Sequence, residues 1–509
     1  MRTRAQWALA GVLAGLGGLA TSYLTATWLG LRGNPVTDVA ELVIRLTPGP
    51  VAEDLIQVVG RHDKPLLVTG VLIVVLLLFA AFGLLSRRWQ GAGIAGFVVL
   101  AVIGLIANQS QYGAPATGIL PSLVGVLTWL ALLGVLTSYL RPQPFRDESS
   151  TDPQRRFLLV ASGVGLGSAV VGLLGWKVGG HRRAVNAARE ALDLPGVTNP
   201  GPPAGVDVGL SGIAVWQTPS SRFYRIDTSL SPPAISPNDW SVRIHGMVDH
   251  ETTLTYAELV KRPRSEIWMT LNCVSNPVGG PLISNAWWSG THLKDLLEEA
   301  GVQQGADAVK QTSDDGWTCG TPLSAMLDGR GAMLAYAMNG EPLLIEHGFP
   351  VRTVVPGLYG YVSACKWVRD IEVTTFDSFS AYWTERGWSV EGPVKLASRI
   401  DVPGNGHHVP AGRVRVGGLA WQQNTGISAV QVQLDGGGWQ PATVARKNLR
   451  DSWVQWVATV DAAPGRHQLA VRAVNDDGQV QTAVRADPVP NGSSGWHTIS
   501  FQADSVSSG

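Results

Sequence analysis

The chain has 509 residues, and its 39 lysines and arginines are balanced by 39 aspartates and glutamates. That length exceeds one ordinary domain, and roughly three units is the starting expectation. A neutral balance argues against the basic stripe that a nucleic-acid footprint needs, so no nucleic-acid partner is expected. The balance hides an asymmetry: up to Gly180 the chain is rich in Leu, Val, Gly and Ala, and most acidic residues come later.

Five stretches of this first part are long and apolar enough to cross a bilayer, which takes about 20 residues per helix. They are 7–29, 65–85, 92–107, 119–140 and 157–176, the third being the shortest. Segment 36–60 carries Asp38, Glu41, Arg45, Glu53 and Asp54, too much charge to span, and reads as an amphipathic segment at the interface. Arg2 and Arg4 precede the first span, Arg87 and Arg88 follow the second, and Arg141, Arg146, Arg155 and Arg156 lie between the fourth and fifth. With five helices these basic loops share one side, so the N-terminus is expected in the cytoplasm and everything after Trp176 outside it. Arg155–Arg156 before FLLVASGVGLGSAVVG has two open readings. The pair is either a twin-arginine signal for export of a folded domain or an anchor for the fifth helix.

Beyond residue 178 the composition turns polar. A short helix over 181–192 and the Pro/Gly-rich PGVTNPGPPAGVDVG predict a linker through 214. From 215 to 398 strand-like and helix-like runs alternate, which points to an α+β core whose regular part ends near Thr375. SVRIHGMVD alternates as a half-buried strand. Thr255 and Glu258 fit a capping box opening a helix through Lys261, and 291–300 predicts another with Leu293, Leu296 and Leu297 on one face. From 399 to 509 the pattern is all strand: RVRVGGLAW, AVQVQLDGGGW, SWVQWVATV and HQLAVRAVND, separated by turn residues. That spacing predicts an immunoglobulin-like β-sandwich.

Three cysteines occur, Cys273, Cys319 and Cys365. Cys319 and Cys365 lie in apolar strand-like runs, as one disulfide or as small core residues. Cys273 differs: the strand IWMTLNC delivers it to a Ser-Asn-Pro loop with two glycines, which lets backbone approach a bulky group closely. In MTLNCVSNPVGGPLISNAWWSGTHLKDLLEEAG and EHGFPVRTVVPGLYGYVSACKWVRDIEV, the chain resembles the sulfite oxidase family of molybdopterin-dependent oxidoreductases. The strand Gly418–Trp421 followed by VQLDGGGW is similar to the C-terminal dimerisation domain of that family.

The resemblance implies a molybdenum–molybdopterin cofactor with Cys273 as its metal ligand, a soft thiolate suited to the metal. It implies that His347, Arg352, Ser363 and Lys366 hold the cofactor's phosphate and pterin, with Asn276 in the loop after Cys273. Arginine offers paired donors to phosphate and lysine a point charge. RFYRIDTSLSPP is similar to the family's first cofactor loop and adds Tyr224 and Arg225. Tyr361 and Arg386 are the catalytic candidates beside Cys273, with Tyr359, Tyr382 and Trp383 near them in sequence. One departure matters: from Val274 to Gly280 there is no positive charge, whereas sulfite oxidases proper carry arginine in this loop.

The expected protein is therefore a multi-pass enzyme of the bacterial cell membrane, with its catalytic domain on the extracytoplasmic side. Its expected reaction is oxygen-atom transfer on a small-molecule substrate, as sulfite oxidation or, alternatively, reduction of S- or N-oxides. No CxxCH is present and the five spans hold no histidine, so no haem is expected and an external electron donor or acceptor is required. The C-terminal domain suggests a homodimer. A membrane-anchored, non-enzymatic binding scaffold is the rival of another class, and it leaves Cys273 and HGFPVR idle.

Overall fold

The computed structural model describes residues 3–31, 33–47, 63–111, 114–141, 153–178, 180–446 and 449–505. Arg2, Glu53, Asp54 and Arg146 of the charge argument lie outside them. Two compact units result, one of Met1–Ala188 with Thr228–Ala234, the other of Arg189–Asp227 with Ile235–Gly509.

The first unit is helical: α1 (Arg4–Trp28), α2 (Pro35–Leu46), α3 (Asp63–Arg88), α4 (Gln90–Gln109), α5 (Ile119–Ser138) and α6 (Pro153–Val178). Five helices are long and apolar enough to cross a membrane, and α2 is not among them. The expected third stretch was too short, because α4 takes in Gln90 and Gly91 directly after Trp89 and runs on through Asn108 and Gln109. Small residues on α1 allow close helix packing. A Cβ on Gly11 would strike the Phe79 carbonyl and one on Gly15 the Phe79 ring. Phe97 and Trp129 surround that ring at 5.4 and 5.6 Å, and the Trp129 indole donates to the Gly15 carbonyl at 2.8 Å. α2 starts as an amphipathic segment should, with Asn34 Oδ1 accepting from the Val36 and Thr37 amides. Its Asp38 turns inward. It is buried and accepts from Asn108 Nδ2 at 2.9 Å and Gln111 Nε2 at 2.7 Å.

In the second unit the strands are β1 (Ser241–Gly246), β2 (Thr252–Thr255), β3 (Ser265–Asn272), β4 (Ile283–His292), β5 (Ala308–Ser313), β6 (Thr318–Pro322), β7 (Met333–Met338), β8 (Glu341–Pro342), β9 (Arg352–Val354) and β10 (Val368–Thr374). They form two sheets, β2-β1-β10-β5-β6 and β3-β4-β7-β8, with β9 paired to β7. The first is mixed, β1 running parallel to β10 and the other pairs antiparallel. The Thr255–Glu258 capping box forms, but its helix stops at Leu259. Pro263 disfavours helical backbone before it. The next helix begins at Leu293, not Thr291, because Thr291 continues the β4–β7 ladder opposite Leu334.

A β-rich C-terminal region follows: β11 (Ala397–Val402), β12 (His408–Pro410), β13 (Gly412–Trp421), β14 (Ile427–Leu434), β15 (Gln440–Pro441), β16 (Thr443–Val444), β17 (Val454–Ala462), β18 (Gly465–Asn475) and β19 (His497–Asp504). Two sheets, β11-β13-β17-β16 and β12-β19-β18-β14-β15, share an apolar core that includes Val416, Trp456, Val471 and Phe501. Buried hydrogen bonds tie this region to β3. Trp453 N donates to Thr270 Oγ1 at 2.8 Å, and Gln423 Nε2 to the Thr270 carbonyl at 2.8 Å. They brace the strand whose end carries Cys273.

Candidate active site

Cys273 follows the last residue of β3 and is 9% exposed. Its amide donates to the Leu282 carbonyl at 3.0 Å, and its carbonyl accepts from the Asn276 amide at 3.2 Å. Asn276 closes the loop by accepting from the Leu282 amide at 2.9 Å through Oδ1. The loop is thus cross-braced at its neck, which fixes the direction of the Cys273 backbone. Cys319 and Cys365 are free thiols, fully buried. The disulfide alternative is therefore set aside, and they are core residues.

The second block folds so that its cations meet. Thr353 N donates to the Cys365 carbonyl at 2.9 Å, and Cys365 N to Thr353 Oγ1 at 2.8 Å, clipping β9 to the segment before Lys366. Gly348, at φ +105°, lies between Arg352 and Lys366, and a Cβ there would sit 3.0 Å from one side chain and 3.1 Å from the other. Only glycine suits that backbone without crowding. Arg352 is buried, with its guanidinium 5.3 Å from the Trp288 ring. It donates to the carbonyls of His347 (3.2 Å), Ala364 (3.4 Å) and Thr353 (3.4 Å). Among the described residues no carboxylate pairs with it. Burial lowers its pKa to about 10, so it stays cationic at neutral pH.

Lys366 Nζ donates to Asp227 at 2.9 Å and to the Glu346 carbonyl at 3.2 Å. Arg225 Nε donates to the same Asp227 oxygen at 2.8 Å. Burial pushes the Lys366 ammonium down to about 8, with Asp227 opposing the shift. The His347 imidazole, lowered to about 3 by burial and then by Lys366 and Arg352, is neutral at pH 7. It meets the Phe223 ring edge-on at 5.6 Å. The Tyr224 hydroxyl is held far above its usual pKa by burial first and then Cys273, while Arg352 opposes. It therefore stays protonated and lies in the field of both.

The structure thus brings together Tyr224, Cys273, His347, Arg352 and Lys366, with Arg225 joined through Asp227. Ser363 is adjacent but spends its hydroxyl on the Tyr359 and Leu358 carbonyls at 2.9 and 3.3 Å. Tyr361 and Arg386 fall in a different set of contacts. Tyr361 Oη donates to the carbonyls of Ser389 and Glu391 at 2.8 and 3.1 Å. Arg386 lies over the Tyr382 ring at 3.7 Å and donates to its carbonyl at 2.7 Å. Trp383 meets Trp388 at 6.3 Å, which in turn faces Tyr361 at 5.9 Å.

Asp227 was missed as a site residue, although it stands two positions after Arg225 inside a loop already singled out. Among the described residues this pocket gathers three cations and one carboxylate, and its most buried cation has no anionic partner. A phosphate-bearing cofactor fits that arrangement. A pH dependence follows. The free site titrates through Lys366 near pH 8, so binding an anion above that pH takes up a proton and affinity falls. Rebinding of the pterin cofactor to apoprotein is expected to weaken as pH rises from 7 to 9. Asp227→Asn should move the decline to lower pH; a flat profile in both proteins would remove Lys366 from the site.

Residues 229–383 match the family model described as an oxidoreductase molybdopterin binding domain. The chain is 37% identical over 176 residues to an uncharacterized oxidoreductase of Bacillus subtilis, YuiH, covering 35% of this chain and 85% of that one. It is 31% identical over 313 residues to sulfite oxidase of Gallus gallus, covering 52% and 68% respectively. Mitochondrial sulfite oxidase of Homo sapiens is 29% identical over 337 residues, with 55% of this chain and 61% of that one covered. Among solved structures, the sulfane dehydrogenase SoxCD of Paracoccus pantotrophus aligns with a TM-score of 0.50 at 25% identity, over 56% and 81% of the two chains. The chain belongs to the sulfite oxidase family of molybdopterin-dependent oxidoreductases. It is accordingly an enzyme, and the scaffold reading is set aside.

Proposed function

We propose that this chain is a membrane-anchored, extracytoplasmic molybdenum oxidoreductase that carries out oxygen-atom transfer, with Cys273 as the metal's protein ligand. The supporting observation is the buried, carboxylate-free guanidinium of Arg352 in one pocket with Lys366, His347 and the Tyr224 hydroxyl. When bound, molybdopterin supplies a two-electron metal centre for exchange of oxygen with substrate. Arg352 and Lys366 hold the phosphate end, neutral His347 and Tyr224 offer polar contact without added charge, and Asp227 orients Lys366 and Arg225. The Cys273 loop, braced by Asn276, presents the thiolate. Arg386 and Tyr361, the remaining catalytic candidates, belong to the separate contacts of Tyr382, Trp383 and Trp388.

The chain is read as a membrane region (1–178), a linker (179–214), a catalytic core (215–398) and an immunoglobulin-like domain (399–509) fit for homodimerisation. The reading includes an external electron donor or acceptor, since residues 1–509 contain no CxxCH for haem attachment. Reduction of an uncharged oxide is the second reading, favoured by the absence of any cation from Val274 to Gly280. Metal and pterin analysis of the purified protein tests the first claim: stoichiometric molybdenum and pterin are expected, and their absence from active protein would refute it.

Export is tested by replacing Arg155 and Arg156 with lysine, which keeps the orienting charge but removes both guanidinium groups. If the pair is an export signal, the catalytic part should stay on the cytoplasmic face. External protease would then no longer cut the linker near residues 200–205. Cleavage at the wild-type rate would make the pair an anchor only.

A further inference from the structure

Three side chains of the C-terminal region reach the loop that follows Cys273. Ser493 Oγ donates to the Asn276 carbonyl at 2.7 Å. Arg399, on β11, donates through Nη1 to the Gly280 carbonyl at 2.8 Å. The His497 ring covers Gly279, where φ is +79° and a Cβ would strike the imidazole. Its Nδ1 accepts from the Ile400 amide at 3.0 Å. Burial, then Arg399, lowers its pKa to about 4, so the ring is neutral at pH 7. Its proton then sits on Nε2, the atom facing Gly279.

These contacts grip both limbs of one loop. The outgoing limb, Cys273–Asn276, and the returning limb, Gly280–Leu282, are already joined at the neck by the Cys273 amide on the Leu282 carbonyl and the Leu282 amide on Asn276 Oδ1. Ser493 holds the first limb and Arg399 the second. Gly279 and Gly280 make the stretch between them intrinsically pliable, so its position has to be imposed from outside it. Arg399 is suited to that. Its side chain is 11% exposed, and its Nε donates to Asp401 Oδ1 at 2.6 Å. Asp401 is anchored in turn, its Oδ2 accepting from the Ala214 amide at 3.0 Å. A planar guanidinium engaged by a fixed carboxylate keeps little freedom, so the donor to Gly280 comes from a rigid mount. Contacts one step removed from a metal ligand fix its orientation and tune the metal.

We propose that Arg399 and Ser493 are positioning residues for the Cys273 sulfur: by clamping its loop at Gly280 and Asn276, they set the direction from which the thiolate meets its metal. Asp401 orients Arg399, and His497 limits movement at Gly279. The C-terminal region then serves the Cys273 site itself. The proposal rests on the molybdopterin reading of that site and adds two residues to it that touch neither the metal nor the pterin.

The test uses the full chain in detergent, with and without its cofactor. In pterin-free protein, iodoacetamide labelling of each cysteine is followed by mass spectrometry. Cys273 is expected to label roughly three- to tenfold faster than wild type in Ser493→Ala, and more than about tenfold faster in Arg399→Ala, which loses a charged donor. The fully buried Cys319 and Cys365 should keep their slow rates. Arg399→Lys retains one donor for Gly280 and should fall between wild type and Arg399→Ala. In loaded protein both alanine variants should keep their pterin, yet shift the paramagnetic resonance of partly reduced molybdenum, which reports the sulfur's orientation. Ser493→Ala removes a single hydroxyl and decides the matter should loss of Arg399 unfold the region around Asp401. Unchanged labelling at Cys273 in both alanine variants, an unchanged resonance in both, or equal acceleration at all three cysteines in Ser493→Ala overturns the proposal while the pterin reading stands. Wild-type protein that takes up no pterin overturns both.

Discussion

Cys273→Ser is expected to fold, to retain pterin and to lose activity by more than roughly 100-fold, since even partners one step removed from a metal cost 10–100-fold when changed. Oxygen donates less electron density to the metal than a thiolate does, so the molybdenum spectrum should shift as well. The loop itself should survive, because backbone and Asn276 contacts hold its neck. Cys319→Ser and Cys365→Ser provide the comparison. Both thiols are fully buried, so serine there should cost stability while turnover stays near wild type. Equal loss in all three variants would mean that the defect is one of packing.

Arg352→Ala should have the largest effect on cofactor retention. Its guanidinium is buried and its three protein partners are main-chain carbonyls at 3.2–3.4 Å, so a bound phosphate would be its first anionic partner. Loss of a charge-assisted hydrogen bond costs roughly 1.5–3 kcal/mol, or one to two decades in affinity. Lys366→Ala should do less harm. Its ammonium already shares Asp227 with Arg225, and burial lowers its pKa to about 8. Pterin released on denaturation, counted per mole of protein, measures both. Arg352→Ala with a full pterin complement would leave that residue a structural role only.

Much of this was legible in the sequence, because motif and local chemistry coincide there. The strand ending in Cys273, the capping box at Thr255 and the apolar helices depend on residues close together in the chain. Gly348 shows why HGFPVR could be recognised: the glycine lets Arg352 and Lys366 approach, so the spacing itself encodes the pocket. What failed were ends and distant partners. The helix after Thr255 stops early because of Pro263, and the partners of Asp38, Asn108 and Gln111, lie some 70 residues away. Asp227 was overlooked because an acidic residue in a cation-rich loop reads as solvent-facing until its two ion pairs are seen. Tyr361 and Arg386 were chosen by proximity to a motif, and they hydrogen-bond to Ser389, Glu391 and Tyr382 instead.

The central claim is that Cys273 binds molybdenum in the purified enzyme. X-ray absorption at the molybdenum edge, on wild type and Cys273→Ser prepared with equal pterin content, tests it most directly. One fewer sulfur neighbour at the metal is expected in the variant, with one more oxygen or nitrogen in its place. An identical sulfur count in the two proteins would contradict it.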